Sequence, residues 1–241
     1  MAQARQRACV ISQEDLHDPR RTGSDRSGVG SDEPGALAHD APHKLTGPAD
    51  RYVYELAAPG TYRLPVIKPA GGGIVLDETG ARYELKDLLA GRLTILAFVY
   101  TRCGDVCPLA TMRLGELREL AGRAGLGSLR LITMSFDPDF DTPEKMAAYA
   151  APWRDGADAV RVPWLFLTAP SRTAIAPMLK AYNQPVAPRA DTGDALGPIS
   201  HLMRVFLIDT MARIRNIYSP DFLDPRLLLN DVLTLDAAAQ G

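Results

Sequence analysis

An α/β fold, with a mixed sheet covered by helices on both faces, is the class this sequence predicts, and three observations predict it. Residues 93–100 (LTILAFVY) form a nearly continuous apolar run with β-branched and aromatic members, the composition of a central strand covered on both sides. Strand-like and helix-like segments then alternate along the chain, as they do in layered α/β domains. The last two strand-like segments flank a short turn, so part of the sheet is antiparallel.

Each element has its own signal. Residues 1–51 are rich in Asp, Arg, Gly, Ser and Pro, show no period and carry too little apolar surface to offset the entropy of ordering; a flexible polar tail is expected there, with the folded domain over 52–241. Ile74-Val75-Leu76, the turn residues Asp77-Glu78-Thr79-Gly80 and Tyr83-Glu84-Leu85 read as an N-terminal hairpin extension. After the central strand, Pro108 suits the first turn of a helix on which Met112, Leu114, Leu117 and Leu120 recur at roughly helical spacing, although Gly115 weakens it. Residues 129–136 (LRLITMSF) read as a strand. Thr142-Pro143-Glu144 supplies a cap, a first helical residue and a dipole-compensating acid for a helix to about Ala151. Residues 164–168 (WLFLT) form another strand, followed by a helix through Leu179 and Tyr182 that Pro177 shortens or kinks. Residues 205–208 and 214–218 around the turn at Asp209 make a terminal hairpin, and residues 225–235 a last helix. This order fits a thioredoxin-like three-layer architecture.

Composition bounds the function. With 241 residues, 46% of them apolar, the chain can bury one sizeable core. Its 27 Lys and Arg against 29 Asp and Glu leave a net charge of −2, so no overall field attracts polyanions and nucleic acid is not an expected partner. No apolar run reaches the roughly 18 residues of a membrane span, and the first part of the chain lacks the apolar stretch of a secretory signal; a soluble, unexported chain is the expectation.

The three cysteines are too few for a disulfide scaffold: Cys9 stands alone, and Cys103 and Cys107 lie four positions apart where the central strand gives way to a helix. Unpaired N–H groups at a helix start favour thiolate, the reactive and metal-binding form, so Cys107 and Cys103 are expected to be acidified. The spacing allows a disulfide or a shared metal ion; two cysteines filling apolar space is the alternative. A structural zinc is disfavoured because no second cysteine pair exists. His201 follows 94 positions after Cys107, beyond a loop marked by Gly197-Pro198, and either joins the cysteines or is an ordinary loop histidine. Two thiolates and one imidazole would make a soft three-coordinate set suited to Cu(I) and usable by Cu(II).

The segments FVYTRCGDVCP, SFDPDFDTPEKMAAYA and SHLMRVFLID occur in the order found in Sco/SenC proteins, and from about Gly72 to its end the chain resembles that family. The resemblance implies a thioredoxin fold and one copper ion, Cu(I) or Cu(II), held by Cys103, Cys107 and His201 in a chaperone that helps assemble the copper centre of cytochrome c oxidase. The implied partner is a copper-receiving protein such as an oxidase subunit. Some relatives act instead as thiol–disulfide oxidoreductases that keep a partner's cysteines reduced, with Cys103 and Cys107 as the redox pair. A peroxide-reducing relative is a third, weaker reading. The family works in the periplasm or on the outer face of the cytoplasmic membrane, in contrast to the unexported reading of the residues themselves. Three positions depart from the family's usual residues: Gly104 replaces a proline, Phe140 an arginine, and Ser200 the aspartate before His201; Asp191 and Asp194 are candidates to replace that acid.

Other candidates have simpler readings. His39 and His43 fall in the polar tail, and Cys9 has no neighbouring partner. Met112, Met134, Met146, Met178, Met203 and Met211 are scattered singly and are expected in the core. The carboxylates of residues 137–141 are expected beside the site, turning the loop and capping the helix.

Overall fold

The structure is a computed structural model that describes residues 54–104, 106–154, 162–189 and 197–240. The expected tail, with Cys9, His39 and His43, lies outside the described residues, as do Asp191 and Asp194.

Strands β1 (Lys68–Pro69), β2 (Ile74–Asp77), β3 (Arg82–Glu84), β4 (Leu93–Val99), β5 (Leu129–Ser135), β6 (Trp164–Thr168), β9 (Val205–Ile208) and β10 (Arg213–Tyr218) build one sheet, in the order β1-β10-β9-β4-β5-β6-β2-β3. β7 (Val186–Pro188) and β8 (Ile199–His201) form a separate antiparallel ribbon. The centre is parallel, β4 against β5 and β5 against β6, and the flanks are antiparallel. All seven residues of β4 are buried, the outcome expected for an apolar run with no alternation.

Helices close both faces and give the three-layer α/β class. One face packs under α2 (Val106–Arg123), α3 (Pro143–Ala150) and α5 (Pro225–Gln240), through residues such as Leu114, Leu117, Met146, Leu228 and Val232. The other packs under α1 (Leu85–Leu89) and α4 (Arg172–Ala181), and its core includes Cys103 and Cys107. Local chemistry sets the ends: Thr142 caps α3, accepting from Lys145 N, and Ser171 Oγ caps α4, accepting from Ala174 N at 3.1 Å.

Several expectations need correction. Leu85 opens α1 and does not extend the hairpin strand, because Glu84 caps the helix by accepting from Lys86 N. On α2 the buried stripe runs through Ala110, Leu114, Leu117 and Ala121; Met112, two positions from its nearest member, is exposed, and Leu120, one position off, is only half-buried. Met211 is 68% exposed at the tip of the β9–β10 turn, whereas Met134, Met146, Met178 and Met203 are buried as expected. Gly115 is a fitted residue: a Cβ there would stand 2.7 Å from the Trp153 ring, which packs against that turn of α2. The last helix runs five residues beyond Leu235.

The segment ahead of β1 is tied to α5 through Asp231. This buried carboxylate accepts from the hydroxyls of Tyr62 (2.5 Å) and Tyr218 (2.6 Å) and from Asn216 Nδ2 (2.8 Å). Burial and the adjacent carboxylate push the Tyr62 phenol up to about 12, and burial with the same charge raises Tyr218 well above its ordinary value. A folded pKa above the unfolded one near 10 means that the unfolded chain loses its protons first; the stabilisation is complete below pH 10 and fades as pH rises through about 12. The midpoint of thermal unfolding is therefore expected to fall between pH 10 and 12, less steeply in Tyr62→Phe, with phenolate absorbance lagging behind that of the denatured chain.

Candidate functional site

Strand β4 ends at Val99, and Tyr100-Thr101-Arg102 carry the chain over the sheet edge to Cys103; α2 begins three residues later and holds Cys107 in its first turn. Asp141 fixes this crossing. Its buried carboxylate accepts from Thr101 N at 3.0 Å, from Thr101 Oγ1, and from Ser135 Oγ at 2.5 Å, so three donors on two segments share one acceptor. Asp137, also buried, pairs with Arg102 Nη2 at 2.6 Å. The acidic loop thus stands beside the cysteines and holds the backbone that presents them, a stronger role than the turn and cap expected of it. Phe140 lies under the cations of Arg102 and Lys145, 4.0 and 3.0 Å from its ring centroid, so this departure from the family pattern is accommodated by cation–π contacts.

His201 reaches the cysteines on the β7–β8 ribbon, where it stands opposite Val186. Two bonds close the ribbon on itself, Gln184 Nε2 donating to the Leu202 carbonyl and Arg189 N to Pro198 O at 2.9 Å, and the Tyr100 hydroxyl, donating to Ile199 O at 3.1 Å, seats it beside the cysteine loop. Gly197, at φ +86°, lies so close to the cysteine loop that a Cβ would stand 2.6 Å from both Arg102 O and Tyr100 Oη. The imidazole is wedged between Tyr100 (centroids 5.5 Å apart, edge-on) and Phe136 (5.0 Å, tilted).

The ligand atoms of Cys103, Cys107 and His201 all lie within 4.8 Å of one another, and Cys107 Sγ is 3.7 Å from His201 Nε2. Among the described residues this is the one His/Cys/Asp/Glu group of three or more placed to hold a metal. Ligands about 2.0–2.3 Å from a shared ion in a trigonal site stand about 3.5–4 Å apart, so the spacing fits a single three-coordinate ion. Neither cysteine is in a disulfide. Cys103 lies on the wall of an open cleft, whereas Cys107 is wholly buried beneath it. The expected acidification of Cys107 is reversed: its hydrogen bond with Cys103 and its burial push the thiol far above its ordinary value, outweighing the helix start.

An imidazole offering Nε2 to a metal carries its proton on Nδ1, which then needs an acceptor. His201 Nδ1 is buried and has none among the described residues, and Ser200 is exposed. Gly197, which the sequence marks as part of the loop ahead of His201, packs that loop against the cysteine segment. Sequence reasoning missed Tyr100 and Phe136 as parts of the site; their signal, aromatic residues at the ends of β4 and β5, is no different from ordinary core composition.

The comparisons agree with this geometry. A Stutzerimonas stutzeri protein named for copper binding is 30% identical over 156 residues, 60% of this chain and 70% of that protein. Arabidopsis thaliana ScoI with copper bound superposes with a TM-score of 0.59 at 20% identity, over 70% of this chain and 98% of that one. A SCO1/SenC family lipoprotein from Bacillus anthracis gives 0.62 at 22% identity, over 73% and 99%. With the SCO1/SenC family model matching residues 75–235, which span the central sheet, the cysteine pair and His201, the chain belongs to the SCO1/SenC family.

Proposed function

We propose that this protein is a copper metallochaperone that carries one copper ion as cargo on Cys103, Cys107 and His201 and delivers it to a copper centre of the cytochrome c oxidase type, assembly of that oxidase being the role its family carries. The observation that supports this most is the convergence of two sulfurs and one imidazole nitrogen within 4.8 Å from sequence positions 94 apart, a set whose softness suits Cu(I). Delivery would take place outside the cytoplasmic membrane, a placement in keeping with one structural neighbour being a lipoprotein; among the described residues no helix is long and apolar enough to cross a membrane.

Titration of the reduced protein with Cu(I) against a competing chelator is expected to show one tight equivalent per chain. Cys107→Ser and His201→Ala should each weaken it by more than the roughly 10–100-fold that loss of an outer-sphere partner costs. Unchanged binding in both variants would overturn the proposal.

The different exposure of the two sulfurs favours a second use of the same pair. Cys103, on the cleft wall, would attack a partner disulfide, and the buried Cys107 would resolve the mixed intermediate. Rapid exchange with a protein disulfide by metal-free protein, undiminished in His201→Ala, would mark the oxidoreductase; slow and unselective exchange would leave copper carriage alone.

A further inference from the structure

The approach to Cys103 is cationic. The open cleft over Cys103 and His201 has a volume of about 400 Å³, and Arg189 and Arg204 line it with Leu202 and Pro220. Among the described residues no carboxylate lines it, and neither guanidinium has an acidic partner. Arg204 Nη1 donates to the Asn183 carbonyl at 2.5 Å, and Arg189 Nε is buried without an acceptor among the described residues. By contrast Arg102, Arg154, Arg213 and Arg226 each sit 2.6–2.8 Å from an Asp or Glu. In a chain of net charge −2, two guanidiniums beside the Cys103 sulfur with no carboxylate partner among the described residues are a local feature and do not reflect the overall charge. The guanidinium fork matches a carboxylate, and a buried donor without an acceptor gains most from an incoming anion.

The geometry points to this cleft as the docking groove for a segment of a partner protein that carries carboxylates beside its own cysteine. The inference rests on the reading of Cys103 as the sulfur that meets the partner. The carboxylates would engage Arg189 and Arg204 and bring the partner sulfur to Cys103, the motif sulfur that lines the cleft. A protein segment fits better than a small anionic thiol because the exposed apolar surface is larger than the cleft: Leu202 on its wall is 49% exposed, and Phe222, two residues beyond the lining residue Pro220, is 59% exposed. A small molecule in the cleft would leave Phe222 in water; a polypeptide can cover both.

The test uses reduced, metal-free, full-length protein and short peptides whose single cysteine is activated as a thiopyridyl disulfide, one flanked by glutamates and one by lysines. A small dianionic aryl disulfide, dithiobis-nitrobenzoate, is the third probe. The Cys103 thiolate attacks the peptide sulfur; a protein–peptide S–S bond forms, the peptide–pyridyl bond breaks, and the thiopyridyl group leaves with the proton and is read by absorbance. Cys107 then attacks the mixed disulfide, leaving a Cys103–Cys107 disulfide and the free peptide thiol. The glutamate peptide is expected to react about tenfold or more faster than the lysine peptide at low ionic strength, with the ratio shrinking as salt is added. In the Arg189→Gln/Arg204→Gln double variant the ratio should collapse toward parity; as a ratio, it cancels any change in Cys103 acidity common to both peptides. Equal rates in the unaltered protein, or an unchanged ratio in the double variant, would overturn the proposal. Arginine-dependent selectivity confined to the small dianion would overturn it in favour of a small anionic thiol. Copper takes no part in this reaction, so a chain that discriminates between the peptides but fails the Cu(I) titration loses only the metallochaperone reading, and the converse result removes only the docking groove.

Discussion

Asp141→Ala is expected to lower the unfolding free energy by about 3–5 kcal/mol, the range seen when one partner of a buried polar network is removed. Thr101 N, Thr101 Oγ1 and Ser135 Oγ all lose their acceptor at once, in a place where the carboxylate itself is fully buried and water has no ready access. Thr101 lies two residues before Cys103, so relaxation of those donors moves the segment that presents the first sulfur. The variant should thus show a lower denaturant midpoint and weaker Cu(I) binding together. Asp141→Asn, which keeps one acceptor oxygen but brings an NH₂ group into a ring of donors, should recover only part of the loss. A midpoint within about 0.5 kcal/mol of the unaltered protein, the range of ordinary surface substitutions, would show that the crossing is held by something else.

Gly197→Ala is expected to act on the metal site with nearly the force of removing His201 itself. An alanine pays about 1 kcal/mol for the left-handed backbone alone, but the larger effect is steric. Its Cβ would stand 2.6 Å from the Arg102 carbonyl and 2.6 Å from the Tyr100 hydroxyl, and neither can yield without disturbing the cysteine loop or the bond to Ile199. The ribbon must lift, and His201 lifts with it. Cu(I) affinity should fall about as far as in His201→Ala, while the main sheet, which Gly197 does not touch, keeps its far-ultraviolet dichroism. Affinity equal to that of the unaltered protein would mean that the ribbon is not set by this contact.

Both variants fall where the sequence is least readable. The apolar run of β4, the Thr142 cap and the β9–β10 hairpin follow from local patterns that the fold then respects, because burial on both faces, an N-cap and a tight turn are decided by neighbouring residues. The β7–β8 ribbon has no such pattern. Val186-Ala187-Pro188 and Ile199-Ser200-His201 are three residues each, and all of β7 is exposed, so no alternation appears. What holds them on the sheet is contact from far along the chain, Tyr100 to Ile199 and Gly197 against Arg102, while Gln184 to Leu202 ties the ribbon's own two ends. Asp141 shows the same limit, since a carboxylate in a Pro-rich turn looks solvated until the fold surrounds it. For Cys107, the helix start visible in the sequence argued for thiolate, but burial and the Cys103 thiol, both tertiary, decide the matter the other way. Residue type alone places Met112 and Met211 in the core, whereas Met112 lies on the outer side of α2 and Met211 at a turn tip.

The 94 positions from Cys107 to His201 take in most of α2, β5, α3, β6, α4, β7 and β8. An ion held by both side chains is therefore a cross-link closing about half of the domain, and a covalent bridge over such a loop would remove chain entropy worth about 4–5 kcal/mol from the unfolded state. Binding an ion there would tighten the fold, and losing it would return the ribbon to the hold that Gly197, Tyr100 and Gln184 provide. On the proposed reading, release would then depend on the looseness of one short hairpin, and displacing that ribbon would leave the sheet beneath it intact.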